Sequence, residues 1–425
     1  MSQHLTVWWD GVRVGALTLN QYGEPEFSYT ESWLAQANPR PISTALPIRP
    51  EPFDRRATLP FFEGLLPEAS QRTTVAQALG ISERNEFRLL EALGGEVAGA
   101  LEIWPDDTPP PSGVRAAPNT PLSDEALTAL IERLPTRPML AGGDAGLRLS
   151  LAGAQAKLPV VLVDGKIALP TSGQATTHIL KPQIARFDGT AENEALCMTL
   201  AQKIGLDVAS VQYRAIGETR FILIERYDRV HAEDGTIQRL HQEDFCQALG
   251  LTSAQKYAAD GGPVFRDCFD LVRRATTRPA AETLKLLDAA IFNAVIGNAD
   301  AHAKNFSLLF KPGSTQLAPL YDLLSTVAYP DLSQRYAMKV AKRRTLEEIF
   351  PADWSKFAED IGMRAPFVRR RVSELAAAIS EKLGSALDTL DLTQDRYEIA
   401  AGYLKVIQAR AKYVLASLHI PKTGH

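Results

Sequence analysis

One segment, GNADAHAKNFSLLF at residues 297–310, combines acidic, amide and basic side chains that could carry out phosphoryl transfer. Asp300 and Asn305 are five positions apart, and His302 and Lys304 lie between them. An aspartate in such a loop can accept the proton of an attacking hydroxyl, and the asparagine can bind Mg²⁺. Lys304 could offset the charge on the transferred group. The spacing alone is a weak argument, because Asp and Asn are also common loop-forming residues.

A second carboxylate, Asp322, follows the apolar part of LAPLYDLLS, seventeen residues after Asn305. A carboxylate at the end of a short strand, just downstream of the first loop, can supply a second contact to Mg²⁺. Alternatively, Asp322 caps the segment that follows it. Position alone favours neither interpretation.

Lys181 ends the strand-like run THILK, from which an ammonium group could reach the α- and β-phosphates of ATP. Glu192 or Glu194, in the helix that follows, could form an ion pair with it. A lysine at the end of a strand is more often simply solvated, so this position by itself indicates little.

The third element is a loop of small residues in LRLSLAGAQAKLPVVLV, residues 147–163, which includes Ser150, Gly153, Gln155 and Lys157. Backbone N–H groups in such a loop can bind phosphate oxygens. The sequence has neither GxxxxGK[ST] nor GxGxxG, which excludes a Walker P-loop, a dinucleotide fingerprint and a protein-kinase glycine loop.

The order of these parts along the chain indicates more than any one of them. The small-residue loop, the strand lysine, the helix glutamate, a crossing at ILIERYDR, the Asp-x4-Asn pair and the last aspartate follow one another as in a kinase-like fold. In such a fold, backbone groups of residues 224–227 would line an adenine pocket where two lobes meet.

The elements around these residues agree with that order. Asp10-Gly11 and Asp164-Gly165 each stand between two strand-like runs, which predicts two β-hairpins. Apolar residues near Phe61 and Leu89 predict helices in the first hundred residues. Leu196, Leu200 and Ile204 recur at helical spacing, which favours an amphipathic helix between the third and fourth strands of the second part. From about Gln242 the pattern is mostly helical.

The predicted fold class is α+β: a two-lobed protein-kinase-like fold preceded by a small α+β N-terminal module. The small lobe is mixed, with a β-sheet and one helix, and the large lobe is mostly helical. The N-terminal module contains no catalytic constellation, and contacts with partners are its expected role. The expected boundaries are 1–104 for the module, 105–121 for a linker with six prolines, 122–228 for the small lobe and 229–425 for the large lobe.

Composition and charge fit a globular protein with more than one core. The 425 residues are 45% hydrophobic and carry a net charge of −4, which argues against a surface built as a whole for nucleic acid. The three cysteines form no CxxC pair, so a disulfide framework and a zinc site are both unsupported. The sequence shows neither a signal peptide nor an apolar run of about 20 residues, so we expect a cytoplasmic protein without membrane contact.

Eight stretches resemble the HipA-type serine/threonine-protein kinase toxins of bacterial toxin–antitoxin systems. They are SLAGAQAK, THILKP, NEALC, IERYDR, QEDFCQALG, KYAADGGP, GNADAHAKNFS and YDLLS, within about residues 147–325. The resemblance implies Asp300 as catalytic base with Lys304 beside it, Asn305 and Asp322 as Mg²⁺ ligands, and Lys181 as the phosphate-binding lysine. The ATP contacts that it implies are Ala152, Gly153, Ala154, Gln155, Ala156, Lys157, Lys181, Glu194, Glu225, Arg226, Tyr227, His302, Ala303, Lys304, Asn305, Tyr321 and Asp322.

The resemblance also implies substrates and partners. Known substrates of the family are aminoacyl-tRNA synthetases, notably the glutamyl enzyme, so growth arrest and persistence would follow. The usual partner is a small helix-turn-helix antitoxin, HipB-like, that binds operator DNA. Basic clusters at residues 339–344 and 369–371 could contact DNA phosphates, or could simply be solvated. Ser150 matches an autophosphorylated serine, and a phosphate there would add about −1.5 to −2 charges beside a phosphate-binding loop and disable it.

Two other functions remain open from the sequence. The loop residues alone do not distinguish a protein kinase from a kinase of a small-molecule or lipid hydroxyl. The chain could also be a DNA-bound co-repressor with a dormant kinase site. The complete set of Lys181, Asp300, Asn305 and Asp322 argues against dormancy, because drift would be expected to break at least one of them.

Overall fold

The computed structural model describes residues 4–111, 119–142, 147–233 and 235–418. The N-terminal module is built on a four-stranded antiparallel sheet in the order β3-β2-β1-β4. Its strands are β1 His4–Trp9, β2 Val12–Leu19, β3 Pro25–Tyr29 and β4 Leu101–Pro105. The predicted first hairpin is confirmed: Asp10 and Gly11 have φ of 49° and 73°, as a tight turn between twisted strands requires.

Four helices pack on this sheet and enclose the module's own core. They are α1 Glu31–Leu34, α2 Arg55–Glu63, α3 Ala69–Leu79 and α4 Glu86–Leu93. The side chains of Asp54 and Asn85 cap α2 and α4 by accepting backbone N–H bonds. Helices near Phe61 and Leu89 are thus confirmed, and both side chains are fully buried in the core.

The proline-rich segment is attached to the small lobe at its downstream end. Asn119 Nδ2 donates hydrogen bonds to the Leu169 carbonyl at 2.7 Å and to Gln174 Oε1 at 2.8 Å. Helix α5, Asp124–Arg133, follows, with Ser123 as its N-cap. Residues 112–118 of the expected linker lie outside the described residues. The described end of this segment is therefore fixed to the small lobe and is not a free spacer.

The small lobe contains a five-stranded antiparallel sheet in the order β6-β5-β7-β9-β8, with one helix, α6, between β7 and β8. The second predicted hairpin is confirmed, with Asp164 at φ 49° and Gly165 at φ 76°. The bounds are β5 Leu158–Val163, β6 Lys166–Ala168, β7 His178–Pro182, α6 Thr190–Lys203, β8 Val211–Ile216 and β9 Thr219–Glu225.

The large lobe is mostly helical, as predicted, with two small antiparallel sheets. Strands β10 Arg229–His231 and β11 Ile237–Arg239 form one pair, and β12 His241–Asp244, β13 Ser307–Lys311 and β14 Ser314–Leu317 form the other sheet. Its helices are α7 Phe245–Leu249, α8 Phe265–Ala275, α9 Pro279–Ile296, α10 Pro351–Asp360, α11 Ala365–Leu387 and α12 Gln394–Ser417. No described helix is both long enough and apolar enough to cross a bilayer.

The helix predicted here, α6, is confirmed, but it is not amphipathic. The sequence favoured an amphipathic helix, but every residue from Thr190 to Ala201 is buried. The reason is that α6 lies between the small-lobe sheet on one side and helices α11 and α12 of the large lobe on the other. Polar residues of this helix are therefore buried and need partners inside the protein.

The N-terminal module is joined to the two lobes by a buried charge network. The carboxylate of Glu96 accepts hydrogen bonds from Arg226 at 3.0 Å, Arg229 at 2.7 Å and Arg239 at 2.9 Å. Asp228, which follows β9, also balances the arginines and lies 2.8 Å from Arg226. Burial opposes the charge on Glu96, but the three arginines lower its pKa to about 2. The module is thus fixed to the two lobes.

Glu96→Gln should lower the free energy of unfolding by about 3 kcal/mol, because it leaves buried guanidinium groups without their carboxylate. The matched change is Glu374→Gln, which removes a carboxylate from surface ion pairs with Arg370 and Arg371 on α11 and should cost less than about 1 kcal/mol. Urea unfolding of the full chain gives both values. Equal losses for the two variants would contradict a structural role for the buried network.

Candidate functional site

The centre of the site is a buried lysine held by two carboxylates. Lys181, near the end of β7, places Nζ 2.8 Å from both oxygens of Glu194 on α6. The same Nζ lies 2.7 Å from Asp322 Oδ1 in the large lobe. Glu192, the other candidate partner, instead accepts bonds from Arg396 at 2.6 Å and Tyr213 at 2.9 Å. The choice that the sequence left open between the two glutamates is therefore Glu194.

At Lys181 and Asp322, the nearby opposite charges together shift the pKa more than burial does. Burial would raise the pKa of Asp322, but Lys181 and Lys157 hold it well below its usual range. Burial would lower the pKa of Lys181, but Asp322 and Glu194 hold it above its ordinary value. The pKa of Glu194 is raised, first by burial and then by the charge of Asp322. Lys181 and Asp322 are thus charged near neutral pH.

Asn305 joins Asp322 on the other side of the cleft. Its Nδ2 lies 2.7 Å from Asp322 Oδ2, and its Oδ1 accepts the His302 backbone N–H at 3.0 Å. Asp322 itself has a φ of 59°, a left-handed conformation that is uncommon for residues other than glycine. The carbonyl of Asp322 accepts a bond from Asn298 at 3.2 Å, which supports this turn.

By type, the side chains of Asn305 and Asp322 suit a hard cation, although here Nδ2 of Asn305 faces Asp322 and its Oδ1 accepts the His302 N–H. Carboxylate and amide oxygens suit Mg²⁺, which takes few protein ligands and completes its shell with phosphates and water. Within the described ranges, no cluster of three or more His, Cys, Asp or Glu side chains could hold a metal by itself. This donor set is therefore suited to a cation that arrives with a phosphate ligand rather than to a resident structural metal.

Asp300 lies at the mouth of the cleft, with its side chain open to solvent. Tyr257 donates a hydrogen bond from its hydroxyl to Asp300 Oδ1 at 2.8 Å. The surrounding protein and the nearby charge of Asp322 raise the pKa of Asp300, and the Tyr257 hydroxyl works against them. A carboxylate with a raised pKa and one free oxygen can accept a proton from a hydroxyl group.

The side chain of Lys304 points away from the cleft. It is buried, with Nζ 2.6 Å from Asp244 Oδ2 and 3.6 Å from Glu68 Oε1. Asp244 is the last residue of β12, and Glu68 belongs to the N-terminal module. In this geometry Lys304 anchors residues 297–306, which we call the Asp300 loop, and its charge-offsetting role toward the transferred phosphoryl group stays a prediction.

Two tyrosines form an aromatic wall between the lobes. The rings of Tyr227 and Tyr321 are nearly parallel, with centroids 5.9 Å apart. Tyr321 donates to the Lys304 carbonyl at 2.7 Å, and Tyr227 donates to the side chain of Gln242. Flat apolar faces of this kind can accept a purine ring by stacking. Glu225, the first of the three predicted hinge residues, is exposed next to them.

Arg226 does not face this wall with its side chain. Its guanidinium group is directed into the buried network with Glu96 and Asp228, and its backbone N–H is bonded to the Thr177 carbonyl at 2.9 Å. Its backbone carbonyl accepts the Arg229 backbone N–H at 3.2 Å, so a hinge contact would share that oxygen. A hinge role for residues 225–227 stays a prediction, and it would depend on backbone groups.

The small-residue loop lies against the N-terminal module. Ser150 is fully buried and donates from Oγ to the Leu65 carbonyl at 2.7 Å. The Gly153 carbonyl accepts the Glu68 backbone N–H at 3.1 Å. Gly153 has a φ of 111°, a conformation that favours glycine, and a Cβ there would also displace Lys157 Nζ, which would lie 2.5 Å from it.

Lys157 and Gln155 fold the loop back on itself and onto β7. Lys157 Nζ donates to the Ala152 carbonyl at 2.7 Å, and Gln155 Nε2 donates to the Pro182 carbonyl at 3.1 Å. Burial and the nearby charge of Lys181 lower the pKa of Lys157 to about 8. The loop thus brings a second amino group to the region of Lys181 and Asp322. The remaining predicted loop residues are Ala152, Ala154 and Ala156.

The sequence analysis missed three residues that organise the site. Tyr257 holds Asp300, and Asp244 and Glu68 hold Lys304. Tyr257 and Asp244 lie in KYAADGGP and QEDFCQALG, but nothing in their type or spacing indicates a role. His302 and Ala303 are buried in the Asp300 loop, and their predicted contacts with ATP stay predictions.

Family models match both parts of the chain. The HipA-like C-terminal domain matches residues 149–383, and the HipA N-terminal domain matches residues 5–104. The chain belongs to the HipA family. Asp300, Asn305, Asp322 and Lys181 all lie in the matched C-terminal part, and the network around Glu96 joins it to the matched N-terminal part.

Two relatives extend over nearly the whole HipA-type chain. Y4mE of Sinorhizobium fredii is 54% identical over 97% of this chain and 99% of its own length. The serine/threonine-protein kinase toxin HipA of Shewanella oneidensis is 28% identical over 91% of this chain and 90% of its own. The solved structure of Shewanella oneidensis HipA with HipB and operator DNA has a TM-score of 0.84 and 27% identity, covering 97% of both chains. The chain is a HipA-type kinase, with the predicted kinase-like fold.

Glu194→Gln should raise the KM for Mg·ATP roughly ten-fold, which corresponds to about 1.4 kcal/mol of binding free energy. The reason is that the Lys181 ammonium group loses one of its two charged partners and is no longer held in one position. The matched control is Glu218→Gln, which breaks an ion pair with Arg220 at the surface of the same lobe. Initial rates over a range of Mg·ATP concentrations give both values. An unchanged KM in Glu194→Gln would show that the pair does not position Lys181 for ATP.

Proposed function

We propose that this HipA-type kinase is the toxin of a toxin–antitoxin pair and transfers phosphate from Mg·ATP to serine or threonine hydroxyls of a protein. The observation that carries the proposal is the convergence of Lys181, Asp322 and Asn305 in one cleft with Asp300 at its mouth. These are the groups that phosphoryl transfer to a hydroxyl requires, in the relative placement that it requires.

Each side chain would have one task. Lys181 would bind the α- and β-phosphate oxygens while Glu194 keeps its ammonium group in place. Asn305 and Asp322 would hold Mg²⁺, which when bound neutralises charge on the phosphates. Asp300 would accept the hydroxyl proton as the hydroxyl oxygen bonds to the γ-phosphorus and the bond to ADP breaks. Positioning and charge account for the rate, since the protein itself forms no covalent bond.

The rest of the ATP molecule would occupy the space between the small-residue loop and the aromatic wall. Backbone N–H groups of residues 152–157 would contact the phosphates. Tyr227 and Tyr321 would stack on the adenine, and backbone groups of residues 225–227 would bind its edge. His302 would lie at the base of the pocket: burial and the nearby charge of Lys256 lower its pKa to about 4, so it is neutral near pH 7.

The proposed protein substrate is a component of translation, an aminoacyl-tRNA synthetase such as the glutamyl enzyme. Its phosphorylation would stop tRNA charging, arrest growth and promote persistence. We further propose a HipB-like helix-turn-helix antitoxin as partner, with contact to operator DNA through that complex. The support is the likeness to Shewanella oneidensis HipA, which was solved with HipB and its operator. The kinase would act in the cytoplasm, where all these partners are present.

The basic clusters differ in their freedom to contact DNA. Arg371 is bound to Asp288 at 2.6 and 2.8 Å and to Glu374 at 3.2 Å. Arg369 is exposed, and Arg370 has a surface pair with Glu374 at 3.4 Å. In the other cluster, residues 339–344, Arg343 is bound to Asp353 at 2.8 Å. The exposed arginines are therefore the better candidates for contacts with DNA phosphates in the proposed complex.

The test of the kinase is incubation with γ-labelled Mg·ATP and bacterial lysate, comparing the wild type with Asp300→Gln. We expect label on protein serine or threonine with the wild type and a loss of about a hundred-fold or more with the variant, because the base is absent. ATP binding by the variant should persist. Label on small molecules or lipids would favour the alternative kinase, and no transfer at all would favour a co-repressor with a dormant site.

Ser150→Asp should weaken ATP binding at least ten-fold, as the autophosphorylated protein would. Ser150 is fully buried, so neither a carboxylate nor a phosphate fits beside the Leu65 carbonyl, and the loop must leave its place. Ser150→Ala is the matched control: it removes the acceptor hydroxyl without adding charge and should bind ATP as the wild type does. Equal ATP affinity of the Asp and Ala variants, measured by calorimetry, would exclude self-inactivation by this route.

A further inference from the structure

A short loop packs over the mouth of the cleft next to Asp300. We call residues 253–262 the Tyr257 loop. It is tightly turned: the Gly262 N–H donates to the Tyr257 carbonyl at 3.0 Å, and a Cβ on Gly262 would lie only 2.0 Å from the Gln255 carbonyl oxygen. Only glycine allows this approach, so the turn has one defined shape.

The Tyr257 loop is attached to the N-terminal module at two points. The Ser253 backbone N–H donates to Glu63 Oε2 at 3.0 Å, and Lys256 Nζ lies 2.9 Å from Glu68 Oε2. Both glutamates lie in the module, Glu63 at the end of α2 and Glu68 just before α3. The loop therefore belongs to the large lobe in sequence but is positioned by the module.

The same loop is bonded to the Asp300 loop. The Lys256 carbonyl accepts the Ala303 backbone N–H at 3.4 Å. The Tyr257 ring packs edge-on against His302, with centroids 5.1 Å apart and an interplanar angle of 79°. With its ring fixed in this way, Tyr257 holds its hydroxyl 2.8 Å from Asp300 Oδ1.

We propose that Tyr257 is a positioning residue for Asp300: its hydroxyl occupies one carboxylate oxygen and directs the other toward the substrate hydroxyl. The inference rests on the proposed function, in which Asp300 is the base. Asp300 is open to solvent, so without this bond its carboxylate would sample several rotamers. Holding a reacting group in one orientation before the reaction is a major source of catalytic rate.

The charged and titratable groups around Asp300 determine the direction in which its pKa shifts when the Tyr257 hydroxyl is removed. Tyr257 and Lys256 face it from the Tyr257 loop, Asp322 from the far side of the cleft and Glu68 from the module. The Tyr257 hydroxyl and Lys256 favour the ionised carboxylate, and the two carboxylates oppose it. Removing the hydroxyl should therefore raise the pKa of Asp300 and move the acidic limb of the rate profile to higher pH.

Tyr257→Phe tests the proposal, because it removes the hydroxyl and keeps the ring that packs on His302. The matched control is Tyr397→Phe, which removes a tyrosine hydroxyl that donates to Asp388 Oδ1 at 3.1 Å on the protein surface. The probe is the loss of γ-label from Mg·ATP, which counts transfer to any acceptor, including water and the protein's own side chains. The full chain is used throughout, with ATP binding measured separately.

We expect Tyr257→Phe to lower kcat about ten-fold, with KM for Mg·ATP and the ATP dissociation constant unchanged and the acidic limb at higher pH. Tyr397→Phe should match the wild type. A value of kcat within two-fold of the wild type, or an equal rise of KM and dissociation constant, would overturn the proposal. A general loss of structure would change ATP binding as well, which the separate binding measurement reveals.

Two further variants, Lys256→Gln and Asp300→Gln, distinguish failure of the Tyr257 proposal from failure of the proposed function. Lys256→Gln removes the ion pair with Glu68 but keeps the backbone bond to Ala303, and it should lower kcat in the same direction by a smaller factor. A wild-type kcat in this variant would contradict positioning through the module. Asp300→Gln should be inactive. An active Asp300→Gln would overturn the proposed function, whereas failure of the Tyr257 proposal alone would leave Asp300→Gln inactive.

Discussion

A buried ammonium group joins the two lobes of this kinase. Lys181 Nζ is enclosed by protein and has a carboxylate from each lobe within 2.8 Å, Glu194 from the small lobe and Asp322 from the large lobe. A buried lysine without such partners would lose its proton or destabilise the fold. The burial of α6 between sheet and large-lobe helices, and the left-handed turn at Asp322, both serve to bring these carboxylates to one point.

The N-terminal module supplies a second set of buried carboxylates, and these act on the parts of the kinase that surround the nucleotide site. Glu96 holds the arginines that follow β9, and Glu68 holds Lys304 of the Asp300 loop and Lys256 of the Tyr257 loop. Burial would raise the pKa of Glu68, but the lysines hold it below its ordinary value, so it is charged. The module thus positions catalytic segments without contributing a reacting group of its own.

Much of the fold and the centre of the site could be predicted from the sequence, because they depend on local signals. The hairpins at Asp10 and Asp164 follow from Asp-Gly turns, and the order of Lys181, Asp300 and Asp322 follows from the order of elements in a kinase-like fold. What was missed depends on distant pairs. Three features depend on segments that lie from 43 to more than 170 residues apart: the burial of α6, the inward turn of the Lys304 side chain and the contact of Tyr257 with Asp300. A periodic pattern within one segment does not indicate such contacts.

The contacts that hold the small-residue loop on the module differ in kind from those that hold the rest of the kinase there. From Ser150 to Gly153, its bonds to the module are backbone or hydroxyl contacts: the Ser150 N–H to the Glu96 carbonyl at 2.9 Å, Ser150 Oγ to the Leu65 carbonyl, and the Gly153 carbonyl to the Glu68 N–H. Arg148, at the start of the segment, donates from its guanidinium group to backbone carbonyls of the module. The side chains of Glu96 and Glu68 meanwhile hold the kinase by charge. Neutral hydrogen bonds of this kind each contribute about 1 kcal/mol, less than a buried ion pair costs to break. By this comparison, residues 150–153 are held on the module less strongly than Arg229 and Lys256, whose charged side chains pair with Glu96 and Glu68.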